Sequence, residues 1–503
     1  MAPAATNSAG KIGAISNISN NTNASWWKDS GLRRLNFLIL FIYLSSAAGG
    51  YDASLIGGLY SIPRWLKDLG SPDTQRQSLL IASAFLGGLG AFIVAPWLPD
   101  VVGRRYAMAA GDVADTLNSK KIIVLIGAIA QTFVKSSNGY IGTRFVIGLG
   151  SVVSAVAAPA LGIELAHPRQ FGRVVSYYNV CFYAGAILAA WISFGTLNIV
   201  SSWSWRLPTL FQAAPAVLQL CALPFIPESP RWLVRNGREA EAKNILLKYH
   251  ANGAEQDDLV DFEMAEIKAQ QALDDKTGDN GWAMFIRTPG MRKRLYICIL
   301  CGFYSQWAGN GIISYYFAPI LNSVGVTSHT QTSGLYGGLA IWNACWAIWG
   351  ASNVDRFGRR TLWLASGVAM LISYILVTAL SATYARTKDV KARTKGLGIV
   401  FLTCYVALVF NTYANPLALA AISVSSSDPS ILLLSLTFAH IQWHYYFVYI
   451  GVISVMLVVI YFYFPETRGR SLEQIAEIFD GVSDDSSTRS PEVEGKEDVE
   501  YKE

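Results

Sequence analysis

Residues 99–105 read PDVVGRR, and residues 353–360 read NVDRFGRR. Each holds an Asp, a Gly and two arginines in the same order, and each follows the second apolar run of its half of the chain. A further echo lies beyond them: PESPRWL (227–233) closes the first half and PETRGRSL (465–472) closes the second. Two spaced matches in corresponding places imply an internal duplication.

The runs between these echoes set the class. The chain has 503 residues, 52% of them hydrophobic and only 15% charged, with a mean hydropathy of +0.32. A soluble domain carries about 25% charged residues. A membrane span needs roughly 20 mostly apolar residues. Eleven segments are candidates, near 36–58, 78–98, 121–138, 141–164, 175–198, 206–226, 295–321, 333–354, 361–384, 396–422 and 444–464. The fold class expected is therefore an all-α polytopic membrane protein. Its division follows composition: a disordered cytoplasmic tail at 1–35, an N-terminal bundle at 36–226, a charge-rich amphipathic loop at 227–294, a C-terminal bundle at 295–464 and a polar tail at 465–503.

Arginine-rich loops belong on the cytoplasmic side. That rule places Arg33, Arg34, Arg104, Arg105, Arg231, Arg235, Arg359 and Arg360 inside. The N-terminus is then cytoplasmic, and the sequons at Asn17, Asn20 and Asn23 are expected to carry no glycan. A net charge of +5 gives no case for nucleic acid. Cys298 and Cys301 form a CxxC at helical spacing. Without further soft ligands they read as small helix residues, and no metal or cofactor is expected.

The motifs DVVGRR, PESPRWL, DRFGRR and PETRGRSLEQI, taken together, resemble the signature set of the sugar porter family of the major facilitator superfamily, over about residues 30–480. GYDASLIGGLYSIP, GAILAAWISFGT, QWAGNGIISYYFAPIL and NTYANPLAL resemble its fungal lactose-permease and hexose-transporter branch. The resemblance implies a major facilitator fold of two six-helix bundles. It also implies sugar transport by alternating access, a multi-pass position in the plasma membrane among lipid, and a monomer.

Asp52, in GGYDASLIGG (49–58), stands in a strongly apolar stretch. A carboxylate inside a membrane is costly unless paired or facing water. In proton-coupled members of the family a first-helix carboxylate pairs with a fourth-helix arginine, and Arg144 in GTRFVIGLG stands at the matching place. A guanidinium favours the charged carboxylate and burial opposes it, so opening the pair lets protonation alternate with the transport cycle. Protons are thus expected partners beside a hexose or disaccharide. A facilitative uniporter is the alternative, with the pair only ordering two helices. A sugar site needs polar groups and aromatic faces around a cavity. The resemblance offers Asn179, Gln306, Trp307, Asn310, Tyr315, Tyr316, Asn343, Asn411 and Asn415. A cytoplasmic gating network is expected from Asp100, Arg104, Arg105, Glu164, Arg169, Arg173, Glu228, Arg231, Asp355, Arg359, Arg360, Glu466 and Arg468, with Glu228 and Glu466 meeting the arginines.

Three places break the family pattern. YAMAAGDVADTLNS (106–119) separates GRR from the third span, and VSSSDPSILLLSLTFAHIQ (424–442) separates NPLALAAIS from WHYYFVYIG. After the ninth span the chain passes directly to KDVKARTKG, so the tenth helix is missing. An odd number of spans puts PETRGR outside, against the positive-inside rule. Both insertions can be encoded with intron-like ends in frame, as Val424–Ser425 written GTGAGT and Gln442 written CAG show. Rival readings are a sensor-like paralogue or a defective gene product, and a membrane enzyme or channel. Against an enzyme, the sequence shows no nucleophile, metal cluster or phosphate loop.

Overall fold

A computed structural model describes residues 20–23, 26–112, 123–277, 286, 289–307, 317–318, 321, 328–357, 359–387 and 446–464. Its ordered elements are all helices. Helix α1 (Ser30–Leu59) begins where the Asp29 carboxylate accepts the Leu32 N–H at 3.1 Å, a side-chain N-cap. α2 (Thr74–Ala91) begins in the same way on Asp73. α3 (Arg104–Asp112), α4 (Ile123–Phe133), α5 (Ser137–Leu165) and α6 (Phe171–Thr196) follow. Span six is split into α7 (Trp203–Phe211) and α8 (Ala214–Ala222). Pro215 has no N–H for the Phe211 carbonyl and crowds it, which explains the break between them.

Glycines set the packing of this half. α1 lies directly on α6: a Cβ on Gly50 would stand 1.8 Å from the Phe182 carbonyl oxygen, and one on Gly185 1.8 Å from that of Ala47. α2 and α5 meet as closely, with Gly87 against Phe145 and Gly148 against Ala84. Small residues let membrane helices approach backbone to backbone, where van der Waals contact replaces the missing hydrophobic drive. Above and below these crossings lie two apolar clusters. One gathers Leu35, Ile39, Ile42, Met108 and Leu161; the other gathers Leu55, Ile56, Trp65, Tyr140 and Trp205. Residues 106–112, the front of the first unexpected insertion, are helical, and Ala107, Met108 and Ala109 are buried.

The linker folds as α9 (Pro230–Arg235), α10 (Glu239–His250) and α11 (Asp258–Thr277) around Leu233, Leu246, Val260 and Met264. In the second half α12 (Pro289–Trp307), α14 (Arg359–Thr387) and α15 (Tyr446–Tyr463) share a cluster with Ile297, Tyr304, Tyr374 and Ile453. α13 (His329–Phe357) leans on α6 through Tyr336, Ala340 and Ala190. Cys298 and Cys301 are buried free thiols on α12.

Among the described residues, four helical stretches are long and apolar enough to cross a membrane: Ser30–Leu59, Ser137–Leu165, Ser176–Thr196 and Trp203–Phe225. Val124–Phe133, Arg360–Leu376 and Tyr449–Tyr463 are shorter apolar helices. The segment near 396–422 lies outside the described residues. The end of the expected N-terminal tail is structured. Asn21 N–H donates to Asp257 at 2.9 Å, the Asn252 amide donates to the Asn21 carbonyl at 2.6 Å and to Asp29 at 2.9 Å, and α1 itself starts at Ser30. Asparagine-rich composition reads as disorder, but here side chains of the α10–α11 turn satisfy the backbone of Asn21, and the Asn21 amide donates to the Ala251 carbonyl at 3.3 Å.

Candidate functional site

Asp52 is on α1 and Arg144 on α5, and α5 packs against α1 in the heart of the first half. Arg144 Nη1 stands 3.3 Å from Asp52 Oδ1, with the guanidinium only 3% exposed. A buried charge without a partner is strongly destabilising, so the two ionised groups support one another. The Nη1 N–H does not aim at the oxygen: Arg144 Nη1 and Nε are buried without hydrogen-bond geometry to any acceptor. The aligned donor is another residue. Gln212 Nε2 donates to the same Asp52 Oδ1 at 2.8 Å. Next to it, Tyr51 Oη donates to the Pro208 carbonyl at 2.7 Å. The neighbouring Tyr–Asp pair of α1 is thus docked on the end of α7 and on the break that follows it. The sequence reading missed Gln212; the available signal was an amide between two prolines, PTLFQAAP (208–215), inside an apolar span.

The sugar-site candidates are less gathered. Asn179 is half-buried on α6. Asn343 is half-buried on α13, and its Oδ1 is buried with no hydrogen-bond partner among the described residues. Gln306 and Trp307 are placed by backbone alone, at the end of α12. Asn310, Tyr315, Tyr316, Asn411 and Asn415 lie outside the described residues.

The cytoplasmic residues form a connected set. Arg104 reaches Asp100 at 3.0 Å and Glu164 at 3.3 Å, and Arg235 lies 3.6 Å from Asp100. Ser229 Oγ donates to Glu164 and caps α9 by accepting the Trp232 N–H at 3.2 Å. Glu228 stands in the field of the Arg104 and Arg105 charges, but its hydrogen bonds go to the backbone. Its carboxylate accepts backbone N–H groups, from Arg105 at 3.0 Å and Ser229 at 2.9 Å. The first turn of α3 offers unsatisfied N–H donors and the positive end of the helix dipole, which makes it a natural seat for a carboxylate. Burial pushes the Glu228 carboxyl above its ordinary range, and these donors oppose the rise without cancelling it. Gly103 turns the chain there with φ +103°, and a Cβ on it would lie 2.5 Å from Glu228 Oε2.

Arg169 lies in a short 3-10 turn, where its N–H donates to His167 Nδ1 at 3.2 Å, and Arg231 is exposed on α9. Arg360 donates to the Tyr461 carbonyl and stacks on that ring. Arg173, Asp355 and Arg359 are placed by backbone alone in α6, α13 and α14. Glu466 and Arg468 lie outside the described residues.

Behind this network two histidine rings stand 5.1 Å apart. His250 Nδ1 faces Glu263 at 2.9 Å and Nε2 faces the Leu165 carbonyl at 3.2 Å. Two acceptors require a proton on both nitrogens, hence an imidazolium. Burial opposes that charge, but Glu263 more than offsets it and the pKa is raised. His167 is pushed down to about 3 by burial, then by His250 and Arg169, and stays neutral.

A bundle of glycine-packed apolar helices, a buried ion pair and arginine turns on one side form a transporter's layout. The sequence profile of the family described as "Sugar (and other) transporter" matches residues 38–429. The chain belongs to the sugar porter family. This sugar porter is 27% identical to the low-affinity glucose transporter HXT3 of Saccharomyces cerevisiae, over 86% of its own length and 79% of that protein's. It is 24% identical to the high-affinity glucose transporter 1 of Candida albicans, over 87% and 85%. Among solved structures it superposes on the proton:xylose symporter XylE bound to 6-bromo-6-deoxy-D-glucose with a TM-score of 0.70. That match covers 89% of this chain and 99% of the other, at 19% identity. A partially occluded inward-open form of the xylose transporter XylE from E. coli gives 0.66, at 20% identity over 88% and 100%. The shared fold is that of the major facilitator superfamily. This sugar porter is a multi-pass membrane protein whose work is transport of sugar, not catalysis.

Proposed function

We propose that this sugar porter is a proton–sugar symporter that carries a hexose or a disaccharide by alternating access. The observation that supports it is the buried Asp52–Arg144 pair. A facilitator has no need of an ionisable carboxylate inside the membrane, and one is expensive to keep there. Glucose, the named cargo of the sequence relatives, supports a hexose, and xylose, a pentose named for the similar structure, supports only a sugar in general. In this reading 36–226 and 295–464 are the two bundles and 227–294 the cytoplasmic linker, in a plasma-membrane monomer. The candidate sugar ligands are Asn179, Gln306, Trp307, Asn310, Tyr315, Tyr316, Asn343, Asn411 and Asn415, and the arginine–carboxylate network gates the inner mouth. The test is Asp52→Asn in yeast lacking its own sugar transporters. Sugar-driven alkalinisation should vanish while exchange of labelled sugar persists. Concentrative uptake by the variant would reduce the pair to a structural role.

We further propose that the family's twelve-span plan is incomplete here because coding sequence for helix ten is skipped and 106–119 and 424–442 are retained introns. Restoring helix ten returns PETRGR to the cytoplasmic side, and both excisions keep the frame. Sequencing the transcript tests this. A cDNA that keeps both insertions and lacks helix ten sinks the idea.

A further inference from the structure

Span six carries the observation that the transport reading does not use. It is broken at residues 212–213, between Pro208 and Pro215, and α1 binds one backbone carbonyl and one side chain there. The Pro208 carbonyl is bound by Tyr51 Oη, and the Gln212 amide binds Asp52 Oδ1. Irregular backbone inside a membrane persists only where its polar groups find partners. Here the partners are consecutive residues of one helix, so the break and the carboxylate fix each other.

Asp52 Oδ1 therefore has one charged neighbour and one aligned hydrogen-bond donor. The guanidinium of Arg144 is at 3.3 Å and badly aimed; the amide of Gln212 is at 2.8 Å and aligned. Gln212 is 2% exposed and its Oε1 has no hydrogen-bond partner, so the side chain is not held there by a contact of its own oxygen. What remains to hold the amide is Asp52. A neutral donor has a property that the arginine lacks: its bond to Oδ1 survives when Oδ2 takes a proton, whereas the ion pair loses its charge partner.

We propose that Gln212 is the positioning residue of the Asp52 carboxylate, holding Oδ1 through both protonation states while Arg144 engages and releases. This rests on the proton-coupled reading only for its part in the transport cycle; the contact itself can be tested without transport. Gln212→Met keeps length and volume and removes the donor. Losing a donor to the charged form makes protonation easier, so the carboxyl should fill at higher pH, by about one pH unit for one charge-assisted bond.

The experiment is infrared difference spectroscopy on the purified full-length chain in nanodiscs, titrated with pH. The Asp52 carboxyl band is identified by its loss in Asp52→Asn. The expected result is an upward shift of its midpoint in Gln212→Met. Gln212→Glu, of similar size, serves as the second variant and should shift it further, because a second carboxyl faces the first. An unchanged midpoint in both variants overturns the proposal, as does a lowered melting temperature as the only effect, since a merely structural amide does not move the titration. Failure of proton coupling has a separate sign: concentrative uptake by Asp52→Asn, with the Gln212 shift still present.

Discussion

Glu228 and Gly103 show how a motif's charges can mislead about what a motif does. The carboxylate serves the backbone of α3, and the glycine is required by the left-handed φ of +103° and by the 2.5 Å clearance. Gly103→Ala should destabilise the first half by about 1–3 kcal/mol through strain at that φ. The melting temperature in detergent checks this, with Val102→Ala as the neutral control. Among the candidate sugar ligands, Gln306→Ala should raise the apparent KM roughly tenfold or more if one hydrogen bond to sugar is lost. Unchanged uptake kinetics for every sugar accepted would remove Gln306 from the site. At this scale the sequence exposed Asp52 because a carboxylate is rare in an apolar run, and the family resemblance pointed to Arg144 as its partner. It concealed Gln212 because amides serve as ordinary interhelical contacts in membranes. It did not show that Glu228 accepts backbone N–H groups, because backbone donors leave no mark in the sequence.

Helices α3 and α4 hold the clearest conflict between an element and its sequence. Of the fourteen residues 106–119, the described part, 106–112, is helical. Excising all fourteen joins Arg105 to Lys120. The same excision puts Lys121 and Ile122 at the positions of buried Ala107 and Met108. A lysine near a span's end can extend to the interface. A chain lacking 106–119 should therefore reach the plasma membrane at least as well as the intact one, as surface labelling would show. The linker helices respond to pH instead. His250 has its folded pKa raised above 6.5, so its stabilisation is full below that value and is lost as pH rises through the folded pKa. His167 has its pKa lowered, so its contribution is present above 6.5 and is lost as pH falls toward about 3. Hydrogen-exchange protection in 239–277, taken relative to the intrinsic rate at each pH, should be greatest between these limits. His250→Gln should flatten the alkaline limb and His167→Gln the acid one. Periodicity alone revealed α10 and α11 as amphipathic; the histidine pair was invisible because its rings come from segments more than eighty residues apart.

Across the molecule, PDVVGRR and NVDRFGRR mark two halves in the sequence, and the family match shows an all-α polytopic fold of the major facilitator type. The halves touch where Tyr336 Oη donates to the Ser54 carbonyl at 3.2 Å, half a turn past Asp52 on α1. Tyr336→Phe should weaken that contact by about 1 kcal/mol and change the rate of sugar exchange more than its affinity, a split that counterflow at varied sugar concentration resolves. The glycine crossings have a consequence in heredity. Gly50 and Gly185 hold no charge and no side chain, yet a Cβ on either would stand 1.8 Å from a carbonyl oxygen. Every missense change of one base in a glycine codon introduces a Cβ. No single missense step at these codons is therefore silent to the fold, and amino-acid drift there has no viable first move. In a population, selection against variants at two featureless glycines should be as severe as at Asp52 itself.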